Sequence, residues 1–139
     1  MNMLPTTLLA GSAAIILLLG LAHLLFTFKG RKLMPRDAEL QARMREVSPF
    51  ISRETSMWKA WVGFNASHSI GAILFGAIYG YLAVFHGALL FQSVFLLSLG
   101  LLVLVGYLLL AKNYWFSVPF RGILLATMLF VLGLVTAWA

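Results

Sequence analysis

Residues 6–28 read TTLLAGSAAIILLLGLAHLLFTF, a run of 23 positions without a charged side chain, and KGRK follows at 29–32. About 20 apolar residues are what a helix needs to cross a hydrocarbon core of ~30 Å. The run is too long and too short of leading Lys or Arg to be a cleaved signal, since its flanking charge lies after it. It reads as a retained first membrane span.

Working outward, three more apolar stretches appear at 60–85, 88–111 and 119–138. A single segment, 29–59, separates the first from the rest. It holds Lys29, Arg31, Lys32, Arg36, Arg43, Arg45, Arg53 and Lys59, eight of the ten basic residues. It also holds all four acids, Asp37, Glu39, Glu46 and Glu54, for a net charge of +4 (eight minus four). Only Lys112 and Arg121 carry charge elsewhere. With 62% hydrophobic and 10% charged residues, the chain has more apolar surface than a water-soluble domain of 139 residues can hide. No alternation of apolar and polar residues suggests a transmembrane β-barrel. The expected fold is therefore an all-α integral membrane protein: one transmembrane domain over 1–139, a four-transmembrane-helix bundle with a cytoplasmic amphipathic segment between its first two spans.

The second and third spans are separated by little more than His86-Gly87, which predicts a tight antiparallel hairpin. Pro119 suits the first turn of the fourth span, where a missing N–H costs nothing, and Arg121 can snorkel back to the interface. Within the polar segment, Pro35 is expected to open a helix ending near Val47. Leu40, Met44 and Val47 share one side, an amphipathic pattern able to lie on a membrane surface. Lys29, Arg31, Lys32, Arg36, Arg43 and Arg45 are then membrane-surface residues, and anionic headgroups account for them without a nucleic-acid partner.

Every Lys and Arg falls on one side of a four-span chain, so the positive-inside rule places 29–59 and the turn at 112–121 in the cytoplasm. Both termini are expected on the other side of what reads as a bacterial inner membrane. Trp58, Trp61, Tyr114 and Trp115 form an aromatic belt at the cytoplasmic interface.

Chemistry is sparse. The absence of cysteine excludes thiol nucleophiles, disulfides and thiolate zinc sites. No Asp or Glu lies within a span, which argues against a proton-coupled transporter and against a histidine base oriented by a carboxylate. Three histidines in total cannot supply a membrane hydroxylase with its metal ligands.

One polar constellation remains. At 100° per residue, Trp61, Asn65, His68, Ser69, Ala72, Gly76, Tyr79, Gly80 and Ala83 share a stripe of the second span. Ser12, Ile16, Gly20, His23 and Thr27 share one of the first. His23 lies five residues from Phe28 and His68 seven from Trp61, ~8 and ~11 Å below the same boundary at ~1.5 Å per residue. If the stripes meet, His23, Thr27, Asn65, His68 and Ser69 form an intramembrane cluster. Four roles suit it: a hydrogen-bond network setting helix register, a site for the polar head of a lipid, quinone or isoprenoid, a haem held by two imidazoles, or a catalytic histidine. Gly20, Gly63, Ser67, Gly71, Ala72, Gly76, Gly80 and Gly133 are small enough for close helix packing.

A histidine late in the first span, a charged segment, and an aromatic-led GF-x-x-S start to the second span are carried here by His23, Trp58, Gly63, Phe64 and Ser67. In these features the first half of the chain resembles small four-helix bacterial inner-membrane proteins. That family brings no assigned activity, so the resemblance implies fold and location only. The leading functional expectation is a non-enzymatic accessory or scaffold subunit, contacting membrane lipids and other membrane proteins or itself. The alternative is a binder of, or enzyme acting on, a lipophilic molecule at the His23/His68 cluster.

Overall fold

The structure is a computed structural model that describes residues 3–138. The chain is all-helical (82% helix), with no strand among the described residues. Six helices follow in order: α1 (Leu4–Phe28), α2 (Ala38–Glu46), α3 (Met57–Phe85), α4 (Gly87–Gln92), α5 (Val94–Tyr114) and α6 (Ser117–Trp138). Four of them, α1, α3, α5 and α6, are long and apolar enough to cross a membrane. The shortest, α5, has 21 residues, which at ~1.5 Å per residue covers ~30 Å.

The chain divides into two compact units, where the sequence reads as one domain. One takes in the chain up to Leu19 and from Ala72 onward; the other is Gly20–Gly71.

The core of the first unit follows helical periodicity. Leu9, Ala13 and Ile16 come from α1, Ala72, Phe75, Tyr79 and Ala83 from α3, and Ile123, Ala126 and Phe130 from α6. These spacings of three and four put one stripe of each helix inward. On α5 the buried positions are Leu97, Gly100, Leu104 and Ala111. Tyr79 organises the centre: its ring stacks on Phe75 at 4.5 Å and meets Phe130 edge-on at 5.9 Å. Its hydroxyl donates to the Leu96 carbonyl at 2.7 Å, so the one polar atom of the ring is satisfied. Gly100 makes room for these rings, since a Cβ there would stand 2.7 Å from both Tyr79 and Phe130. Outward-facing positions are equally apolar: Leu18, Leu74, Ile78, Leu102, Leu109, Leu125 and Val135 are all exposed. A surface of that composition suits a hydrocarbon surround.

Several boundaries differ from expectation: α1 opens at Leu4, α5 runs on to Tyr114 and α6 opens at Ser117, and three further differences have a visible cause. The span expected over 88–111 is not one helix, because α4 ends at Gln92 and α5 begins at Val94. The physical cause is Ser93, extended at φ −95° and ψ 98°, whose Oγ accepts the Leu96 N–H at 3.2 Å and caps α5. The hairpin after α3 is consequently a six-residue helix and a break rather than a two-residue turn. The second correction concerns α2, which opens at Ala38 rather than Pro35. Asp37 is its N-cap, accepting from Glu39 N at 2.9 Å and Leu40 N at 3.3 Å. Val47, expected inside, is the extended C-cap, and α2 buries none of its residues. Third, α3 begins three residues before the expected span, where Ser56 Oγ accepts from Lys59 N. Pro119 does lie in the first turn of α6, with Arg121 exposed beside it. Gly30, at φ +85°, ends α1 in the left-handed region that glycine tolerates.

Candidate functional site

All of the candidate cluster belongs to the second unit, on the last turns of α1 and the first half of α3. His23 Nε2–H donates to Asn65 Oδ1 at 2.9 Å, which sets both the histidine tautomer and the amide orientation. Asn65 Nδ2 donates back along its own helix to the Trp61 carbonyl at 2.8 Å. The His68 ring stands edge-to-face against His23, centroids 5.3 Å apart and planes at 84°. The structure thus brings His23, Asn65 and His68 together.

The other two candidates behave differently. Thr27 Oγ donates to the His23 carbonyl at 2.8 Å, and Ser69 Oγ to the Asn65 carbonyl at 2.7 Å. Both are bonds to the residue four back in the same helix, the usual resort of a hydroxyl in an apolar surround. Their donor hydrogens therefore do not point at a ligand.

Trp61, expected in the aromatic belt and on the stripe of Asn65 and His68, also donates its Nε1–H to the Leu33 carbonyl at 3.0 Å and ties the polar segment to α3. No periodicity signals that bond, because its acceptor is a backbone carbonyl in an irregular stretch. Between them Phe26, Thr27, Leu33, Trp58, Trp61 and Asn65 line a shallow cleft with room for about one water. Two cations rest on nearby aromatic rings: Lys32 Nζ lies 3.8 Å above Phe26, and the Arg45 guanidinium 5.5 Å from Trp58. Arg43 is ion-paired with Glu46 at 3.3 Å, whereas Lys29, Arg31 and Arg36 are exposed, with no carboxylate at ion-pair distance among the described residues.

This geometry does not fit a haem. Two axial imidazoles must stand on opposite sides of a porphyrin plane. Here the rings touch edge-to-face, and Nε2 of His23 is committed to Asn65. No group of three His, Asp or Glu able to hold a metal occurs among the described residues.

The small residues separate into two sets. Ala72, Gly76 and Gly133 are buried, as is Gly20. A Cβ on Gly76 would stand 2.6 Å from Leu17 Cβ and 2.7 Å from the Ala13 carbonyl, and one on Gly133 would collide with Leu9. Gly80 is looser, with Ala13 Cβ at 3.7 Å. Gly63, Ser67 and Gly71 instead lie exposed on α3, and nothing comes within 4 Å of a Cβ built on Gly63. The sequence pattern marks all of these as packing residues; Gly100 is buried too, and Gly122, half-buried, lies against the Leu19 side chain. Comparison with protein-family models, curated proteins and solved structures gives no significant match.

Proposed function

We propose that the chain is a polytopic protein of the bacterial inner membrane, with residues 29–59 in the cytoplasm and both termini on the opposite side. In that membrane it serves as a non-enzymatic accessory or scaffold subunit whose helices bind those of a neighbouring membrane protein. The observation that carries this reading is the Gly63–Ser67–Gly71 stripe. Three small residues at spacing four form a face for close helix approach, and on α3 that face is exposed. The polar cluster points the same way: the donors of Asn65, Thr27 and Ser69 and Nε2 of His23 are bonded within the protein, as a network that sets register would be.

Native mass spectrometry of gently extracted protein tests the reading. A stoichiometric protein partner, or a second copy, is expected, and Gly63→Leu with Gly71→Leu is expected to release it while the helical content stays. A monomer that carries only a small molecule overturns the scaffold reading. It supports instead a binder of a lipophilic compound at the His23/His68 cluster.

A further inference from the structure

The segment between α2 and α3 carries an apolar pair where water-soluble chains place polar residues. Phe50 is 115% exposed and Ile51 93%, the two most exposed large apolar side chains among the described residues. They occupy the central positions of a turn from Pro49 to Ser52, closed by Ser52 N–H donating to the Pro49 carbonyl at 3.3 Å. The loop that carries this turn is closed at its neck as well, where Met57 N–H donates to the Val47 carbonyl at 2.8 Å. The pair is therefore presented on the tip of a tied loop rather than on a free strand.

Position and charge say what the tip meets. Met57 is the first residue of α3, so the neck stands where an apolar helix begins. Phe50 is three residues from Val47, within ~10 Å of the neck at ~3.3 Å per residue. Arg45 already lies over the Trp58 ring at 5.5 Å, which ties a cation to the interfacial aromatics. Arg45 and Arg53 have no carboxylate at ion-pair distance, since Arg43–Glu46 is the one such pair among the described residues. Leu40 and Val47 of the preceding helix and its cap are exposed too, adding apolar area to the same segment.

We propose that loop 48–56 is a membrane-dipping anchor: Phe50 and Ile51 insert into the anionic leaflet beside α3, and Arg45 and Arg53 meet lipid phosphates. Apolar insertion and attraction of cations to anionic lipid act together in such anchors. The proposal rests on the membrane reading above, and deepens it by assigning the polar segment a lipid-binding tip.

The chain has no cysteine, so Ile51→Cys takes a single polarity-sensitive fluorophore, with Glu39→Cys as the reference on the polar side of α2. The full chain is reconstituted in phosphatidylcholine liposomes with or without phosphatidylglycerol, and spin-labelled lipid serves as quencher. Blue-shifted emission at position 51 and loss of most of it to the quencher are expected with phosphatidylglycerol, with no such change at 39. Arg45→Gln with Arg53→Gln is expected to restore water-like emission. Water-like emission from floating, helical protein overturns the anchor and leaves the membrane reading intact. A shift seen only in native membrane vesicles means a protein pocket receives the tip, and overturns the lipid assignment. Insertion indifferent to phosphatidylglycerol overturns the role of the two arginines. Protein that does not float with the liposomes overturns the membrane reading, and the anchor with it.

Discussion

Gly76 and Gly80 lie one turn apart on α3, yet their surroundings differ sharply. A methyl on Gly76 meets backbone atoms of Ala13 and Leu17, which cannot move aside as a side-chain tip can. Gly76→Ala is therefore expected to destabilise by about 1–3 kcal/mol through overpacking. Gly80→Ala makes only ordinary contact with Ala13 and is expected within about 0.5 kcal/mol of the parent. Thermal unfolding of detergent-solubilised protein separates them, and equal midpoints would sink the argument. The His23–Asn65 bond is testable in the same way through a double-mutant cycle with His23→Leu and Asn65→Leu. A coupling of about 0.6 kcal/mol, at most about 1.7, is expected for one hydrogen bond between helices in lipid. Zero coupling would remove the register-setting role from this pair. That the two histidines can meet was legible from helical phase and residue count. Which donor each residue offers was not, because Thr27 and Ser69 turn to carbonyls of their own helices, a choice made by local rotamers.

At the scale of elements, the break between α4 and α5 hangs on one side chain. Ser93 Oγ accepts the Leu96 N–H, which otherwise has no carbonyl four residues back in its own helix. Ser93→Ala is expected to cost about 0.5–2 kcal/mol, and Ser93→Asn to recover most of it. Faster amide exchange confined to the start of α5 is the signature; an unchanged exchange pattern would mean that water caps the helix equally well. The apolar run from Ala88 to Ala111 hides this break, since a lone serine in a hydrophobic stretch is compatible with an unbroken helix. The start of α2 was obscured differently. Pro35 and Asp37 are both helix openers, and the cap geometry at Asp37 decides between them.

For the whole molecule, the division of charge makes a topological prediction. With every Lys and Arg on one side of four spans, a reporter fused after Ala139 is expected to read as non-cytoplasmic and a tag near Arg43 as cytoplasmic. A cytoplasmic reading after Ala139 requires an odd number of spans or inverted insertion. The number of long helices and their approximate places were determined by sequence alone, because length and apolarity are properties of each segment by itself. The inward stripes of α1 and α3 were equally legible, through spacings of three and four residues. Which glycines pack and which face outward was decided only by the tertiary structure. Gly63, Ser67 and Gly71 obey the same small-residue spacing as Gly76 and Gly80, yet they are exposed. Spacing says that a helix has a face for close approach; only the positions of the neighbouring helices say whether this chain itself fills it.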